Sequence, residues 1–361
     1  MNNTILDNIY SFDKIFVDSN VINSKYTTRI LDKLNSTNFE VIDSIYSLIK
    51  TMPIIYHPSE RSKILYLGEL KGDIVQKCPG SHGHICCNYS VINLYLGCPI
   101  NCSYCILQSY LNQQFTVINT NLDHIFSSID NFININSSKP IRIGTGELGD
   151  SLVYDYLTDY SSDFLDFFYS RNNATFEFKT KTVFIENLLM ATTRGNIVIG
   201  FSVNPQSIID SEEEQSASMK DRISAMHSLV KKNYRIALHF DPMIYIDNFQ
   251  QEYGSLIDMI FNTIPHESIA WISLGTFRYT PDLKNSINYN YPNTKITDLE
   301  FVKCRDQKYR YFKPLRLKVY QFVYSKIKAI SDSLNIYMCM ESPDIWQRVT
   351  SSKEFDTYLF K

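Results

Sequence analysis

Cys98-Pro99-Ile100-Asn101-Cys102-Ser103-Tyr104-Cys105 reads C-x3-C-x2-C, and it follows an apolar run, Val91 to Leu96, that the pattern predicts as a buried strand. Three thiolates on one short loop can hold three irons of a [4Fe–4S] cluster. The fourth iron then has no protein ligand in the motif and is open to a substrate or cofactor. Zinc is the competing reading, and reduced core thiols are a third. Structural zinc sites usually pair C-x2-4-C with a second, distant pair. The sequence has no distant C-x2-C or H-x3-5-H pair.

Around this loop lies a chain of 361 residues, long enough for one large domain or two small ones. Its apolar fraction of 44% and aromatic fraction of 14% allow a substantial core. With 35 basic and 38 acidic residues the net charge is −3, which argues against indiscriminate nucleic-acid binding but leaves room for a local basic patch. No apolar run has transmembrane length, and Met1 to Tyr10 is polar, so no membrane association is expected. Eight cysteines in such a chain suggest a reducing cytoplasm and a metal site rather than disulfides.

Before the loop, Lys14–Val17 and Ile64–Leu67 read as strands and 26–34 and 38–50 as helices, a small α/β cap over residues 1–75. Next comes Lys77-Cys78-Pro79-Gly80-Ser81-His82-Gly83-His84-Ile85-Cys86-Cys87, whose Pro and Gly mark a loop. An auxiliary metal site, a redox or hydrogen-donating thiol, and plain buried cysteines are all open readings there. From residue 88 strands alternate with helices. The strands are 91–96, 141–144, 175–178, 197–203, 235–240 and 269–274; the helices include 122–132, 162–169, 183–191, 218–231 and 253–263. Near-continuous apolar strands separated by helices argue for a parallel sheet covered by helices. Six such units predict an open, partial TIM barrel, (β/α)6, over residues 76–285, with its site at the C-terminal ends of the strands. Lys181, Ser202, Asn204, His239 and Asp241 fall at those ends, where they serve either as ligands or as simple caps. Residues 286–361 form a C-terminal extension with a helix over 315–334 and a strand over 336–340.

The cysteine loop resembles the signature of radical S-adenosylmethionine (SAM) enzymes. The resemblance narrows to the spore photoproduct lyase family on Gly97-Cys98-Pro99, Cys102-Ser103-Tyr104-Cys105-Ile106-Leu107-Gln108, and Arg142-Ile143-Gly144-Thr145-Gly146-Glu147-Leu148-Gly149-Asp150-Ser151-Leu152. It is extended by Thr180-Lys181, Phe201-Ser202-Val203-Asn204 and Ser273-Leu274-Gly275-Thr276-Phe277-Arg278. The resemblance implies Cys98, Cys102 and Cys105 as cluster ligands. It implies SAM as cofactor, cleaved to a 5′-deoxyadenosyl radical, and Gly144, Thr145, Gly146, Glu147, Lys181, Ser202 and Asn204 as its surroundings. The implied activity is repair of a thymine-dimer-type lesion in DNA, with a ferredoxin or flavodoxin as electron donor.

Two positions depart from the family. Glu147 stands where studied members carry a hydrogen-donor cysteine, and Ile106 follows the last cluster cysteine where they carry a tyrosine. Tyr104 is retained, and Cys86 or Cys87 is the expected substitute donor. The alternative is a different substrate, a modified nucleotide or a peptide. Lys308, Tyr309, Arg310, Tyr311, Lys313 and Arg316 belong to a basic, aromatic segment, Lys303 to Tyr320, with Asp306 its single acid. Cations suit phosphates and aromatic faces suit an extruded base, so the segment is the expected nucleic-acid contact.

Overall fold

The protein was analysed as a computed structural model that describes residues 9–53, 55, 57–80, 83–192 and 194–351. Ser81 and His82, in the histidine- and cysteine-rich loop, lie outside the described residues.

The strand–helix alternation builds an eight-stranded sheet. Its strands are β4 (Gln76–Lys77), β5 (Tyr89–Val91), β8 (Ile141–Gly144), β9 (Ala174–Thr180), β10 (Ile197–Ser202), β11 (Arg235–Met243), β12 (Ile269–Thr276) and β16 (Ile336–Met338). They are ordered β16-β12-β11-β10-β9-β8-β5-β4, all parallel except β4. The end strands β16 and β4 do not pair with each other, so the barrel is open. Every residue of β8 and β12 is buried. Such strands need cover on both faces, and the helices between them supply it on the outside. Phe164 and Phe168 of the helix Tyr160–Phe168 pack on Phe176 of β9 at centroid distances of 4.5 and 4.9 Å.

A second, five-stranded sheet has the order β2-β1-β3-β7-β6, with β1 (Lys14–Asp18), β2 (Glu40–Ile42), β3 (Ile64–Gly68), β6 (Tyr95–Leu96) and β7 (Thr116–Asn119). It therefore runs continuously past residue 75. The run from Val91 to Leu96, expected as one strand, is two. β5 ends at Val91, and the chain crosses at Ile92–Leu94 to enter the other sheet as β6, antiparallel to β7. The Ile92 N–H still reaches the Gly144 carbonyl of the barrel (2.9 Å), whereas the Leu94 carbonyl accepts from Asn119 N–H (3.0 Å). Ile92, Leu94 and Tyr95 are buried on either side of the crossing, so hydrophobicity could not reveal it. The cysteine loop consequently leaves the junction of the two sheets, not the first barrel strand.

A third, antiparallel sheet, β13-β15-β14, combines β13 (Arg278–Tyr279), β14 (Phe301–Lys303) and β15 (Tyr309–Tyr311). It starts where β12 ends, at the mouth of the barrel, and leads into the helix Lys313–Lys328.

The inside of the barrel is partly polar. Glu177 of β9, fully buried, accepts from Arg142 Nη2 (2.6 Å) and Trp271 Nε1 (3.0 Å) and lies 2.7 Å from His239 Nε2. The Arg142 guanidinium stacks 4.2 Å from the Trp271 ring. A Cβ on Gly200 would strike both His239 and Glu177, so glycine makes room for the network. Burial pushes the Glu177 carboxyl up, but Arg142, His239 and Lys179 outweigh it and hold it well below the usual range.

Candidate active site

Gly97 opens the cysteine loop with φ +111°, a backbone region that suits glycine. Its N–H bonds the Leu148 carbonyl (2.8 Å), and Gly149 packs against Gly97 and Tyr95 so closely that any side chain would clash. The two motifs are therefore pressed together by missing side chains. On its other flank the loop is clamped by Glu212–Gln215. Ser103 N–H bonds the Glu212 carbonyl (2.9 Å), Gln215 N–H bonds the Ile100 carbonyl (3.1 Å), and the Ser103 hydroxyl donates to the Glu212 carboxylate.

The clamp centres on Glu213. This buried carboxylate accepts from the Tyr104 hydroxyl, Lys181 Nζ (3.2 Å), Asn204 Nδ2 (3.3 Å) and Arg222 Nη2 (2.5 Å). Burial raises its pKa, but the charges of Lys181 and Arg222 and the bonds from Arg222 and Tyr104 prevail and hold it well below the usual range. Glu213 sits in an acidic run, Glu212-Glu213-Glu214, which in sequence reads as a solvated surface. No signal distinguished it; Lys181 and Arg222 meet it only through the fold.

This arrangement has a pH consequence. A carboxylate whose pKa is depressed on folding stabilises the native state above its unfolded value and loses that contribution as pH falls through the folded value. Glu177 and Glu213 both start from 4.5 and are both lowered. Urea midpoints of the wild type should therefore fall steadily below about pH 4.5. Glu213→Gln should cost about 3–5 kcal/mol at pH 7 because it strands Arg222. Its midpoint should then fall less steeply on acidification than that of the wild type. Equal slopes would remove Glu213 from the acid response.

Above the clamp lies a cavity of about 430 Å³, at the C-terminal ends of the barrel strands. Cys98, Cys102, Tyr104 and Cys105 line one side. Gly146, Glu147, Asp150, Lys181, Ser202, His239 and Asp241 come from the strand ends. Asp150 fixes the turn after β8 by accepting from the Leu152, Val153 and Lys181 N–H groups at 3.0, 3.0 and 2.6 Å. Burial pushes the thiols of Cys98, Cys102 and Cys105 up, so they stay protonated until a cation displaces the protons. Among the described residues no group of three His, Cys, Asp or Glu side chains is placed to hold a single ion. Cluster thiolates bind different irons and need not converge on one point.

Other expected residues lie elsewhere. Gly144 and Thr145 stand behind the lining; a side chain on Gly144 would strike Tyr89 and Glu177, so its smallness serves strand packing. The Thr145 carbonyl accepts from the Tyr89 hydroxyl (3.0 Å). Asn204 is buried outside the lining, holding Glu213 and accepting from the Tyr253 hydroxyl (3.2 Å). Cys86 is exposed and does not line the cavity, but Cys87 and Cys78 do. Their loop is drawn over the barrel by a bond from Ile85 N–H to the Glu341 carbonyl (3.2 Å). Cys339, just past β16, also lines the cavity. In sequence it lies beyond the predicted barrel, but β16 pairs in parallel with β12 and returns it to the mouth.

The basic segment is less open than its composition suggests. Arg310 is buried and pairs with Asp306 through both nitrogens (2.6 and 2.7 Å). Arg316 is held by Glu341 (2.9 and 3.0 Å), and Lys313 by Asp344. Tyr311 is buried, and Tyr309 stacks on Tyr279 at 5.5 Å. Lys308 alone of the six expected contacts lines the cavity, together with Arg278 and Tyr279. Lys303 and Arg305, on the β14–β15 hairpin, are exposed.

The family model for spore photoproduct lyase matches residues 83–345. The chain belongs to the spore photoproduct lyase family. Relatives of that name include the protein of Geobacillus sp. (strain Y412MC61), 24% identical over 257 residues, 70% of this chain and 73% of the relative. That of Bacillus subtilis (strain 168) is 23% identical over 247 residues, 67% of this chain and 70% of the relative. Among solved structures, a double-mutant spore photoproduct lyase with bound AdoMet and dinucleoside spore photoproduct aligns at TM-score 0.78 and 18% identity, over 91% of this chain and 99% of that one. This places the fold with the partial TIM barrels of the spore photoproduct lyases, as the strand–helix alternation predicted, with β16 a seventh parallel strand beyond the six expected. No helix among the described residues is long and apolar enough to cross a membrane.

Proposed function

We propose that the protein is a radical SAM lyase that repairs a thymine-dimer-type lesion in DNA. The reading is carried by one observation. A single cavity joins the three cysteines of the loop to the polar strand ends and to three further thiols, Cys78, Cys87 and Cys339. Cys98, Cys102 and Cys105 would hold a [4Fe–4S] cluster, leaving one iron for SAM. Gly146, Glu147, Lys181 and Ser202 would line the SAM site, and Tyr104, tied to Glu213, would fix the loop beneath it. When bound, the cluster and SAM supply a 5′-deoxyadenosyl radical able to remove a hydrogen from the lesion. The protein's share is to orient the lesion, exclude water and return a hydrogen atom. Tyr279 and Lys308 at the mouth suit an extruded base and its phosphate, beside Arg278, whose guanidinium is paired with Asp241 (3.0 Å).

The deciding experiment is anaerobic reconstitution with iron and sulfide, then incubation with reductant, SAM and an oligonucleotide carrying spore photoproduct. Formation of 5′-deoxyadenosine together with restored thymines in the oligonucleotide supports the reading. Release of 5′-deoxyadenosine without repair points to another substrate.

The exposed hairpin gives a separate test. Lys303→Glu with Arg305→Glu should lower affinity for duplex DNA and make log K less steep against log salt, by roughly 0.9 for each phosphate no longer neutralised. The folded state should be unaffected, because both side chains are exposed. Unchanged affinity at low salt would move the DNA surface away from this hairpin.

A further inference from the structure

We propose that the Asn101 carboxamide donates an N–H···S hydrogen bond to the iron–sulfur cluster carried by Cys98, Cys102 and Cys105, and so raises its reduction potential; this rests on the reading above that the loop holds such a cluster. Asn101 is 4% exposed, and both its Nδ2 and its Oδ1 are buried without a hydrogen-bond partner. Only its backbone carbonyl is engaged, by the Tyr291 hydroxyl (3.2 Å). Buried amides are seldom left unpaired, and this one carries two donors.

Its surroundings indicate the missing acceptor. Asn101 lines a cavity of about 60 Å³ together with Gly97 and all three cysteines of the loop. Gln113, whose Nε2 is also buried and unpartnered, lines the same cavity. The same three cysteines line this small cavity as well as the larger one, which Asn101 and Gln113 do not line, so a cluster held by them would border two donors in need of an acceptor. Sulfur in a cluster accepts hydrogen bonds, and such bonds are among the groups that set its potential. Reduction adds negative charge to the sulfurs, so an aimed N–H favours the reduced form. The backbone of Asn101 has φ +55°, the left-handed region that asparagine and glycine tolerate. Asparagine therefore meets two demands, the turn between two ligands and the donor.

The conformation makes the test clean. Asn101→Gly removes the carboxamide and fits the same backbone. Asn101→Asp keeps the shape and replaces the donor by a carboxylate. Potentiometric titration of the reconstituted proteins, followed by the EPR signal of the reduced cluster, should give midpoints more negative than wild type for both, with Asp lower than Gly. Wild-type protein labelled with 15N in the asparagine side chain should also show a nitrogen coupled to the reduced cluster by pulsed EPR. That label separates Asn101 from Gln113 and requires no variant to fold. A wild-type cluster with no coupled asparagine nitrogen overturns the inference, as does an unchanged midpoint in Asn101→Gly. Wild-type protein that assembles no cluster would instead overturn the reading on which the inference rests.

Discussion

Replacing any one of Cys98, Cys102 and Cys105 by alanine is expected to abolish the [4Fe–4S] chromophore and the release of 5′-deoxyadenosine together. Each thiol comes from the one loop that Gly97 and the Glu212–Gln215 segment fix in place. With two thiolates left, a cubane loses a third of its protein ligation and exposes a second iron. The loop itself should survive, because its backbone bonds to Glu212 and Gln215 do not use the cysteine side chains. The loss is therefore expected in iron content and SAM cleavage, with urea midpoints of the iron-free proteins close to wild type. Cys304→Ala, on the β14–β15 turn away from the cavity, is the matched control and should retain full iron. Iron and sulfide analysis with the visible spectrum checks the first outcome, and product chromatography the second. A Cys102→Ala protein that reconstitutes to full iron and cleaves SAM would remove the loop from the cluster. Zinc in place of iron in the purified wild type would favour the competing metal.

Which parts of this site were legible beforehand follows from where each signal resides. The barrel strands from Ile141 onward are buried on both faces and bounded by helices of clear period, so their signal is local. The first strand failed because the crossing from β5 to β6 runs through buried Ile92 and Leu94 with a single half-buried residue, Asn93, between them, and apolar character does not name the sheet. The cysteine ligands were readable because their spacing is itself the chemistry. Glu213 was not, since its role depends on Lys181, Tyr104 and Arg222 arriving from other elements. The basic segment carries less free charge than its composition suggests. Read linearly it has one acid, but Glu341 and Asp344 come back across the helix Lys313–Lys328 and take two of its cations. Local composition could not report charge neutralised by residues distant in sequence.

Cys339 shows the same limit and alters the last expectation, which concerns the hydrogen returned to the product. In the proposed repair, bond cleavage would leave an unpaired electron on the substrate carbon. Transfer from a thiol forms a C–H bond and leaves a thiyl radical, so atoms and electrons balance without a further reactant in one turnover. Glu147 lines the cavity but has no weakly bound hydrogen to give, and Ile106 has none either. Cys86 is exposed and off the cavity. Cys78, Cys87 and Cys339 remain. Burial pushes the Cys78 and Cys339 thiols up, and Asp241 adds to the rise at Cys339, so both keep the S–H that donation requires. Cys87 sits on the loop that Ile85 ties to Glu341, facing the same space. Cys87→Ala, Cys78→Ala and Cys339→Ala should each cleave SAM under single turnover. The variant lacking the donor should convert repaired thymine from the main product to a minor one, a drop on the order of tenfold or more, about 1.4 kcal/mol of lost advantage over side reactions. Adducts of the unquenched radical should appear in its place. In deuterated buffer the wild type should carry one deuterium into thymine, delivered by the exchanged S–D, and the donor variant should not. If the triple variant still yields thymine with one deuterium, the hydrogen does not come from these thiols, and a substrate other than the dimer becomes the better reading of a site with Glu147 and Ile106.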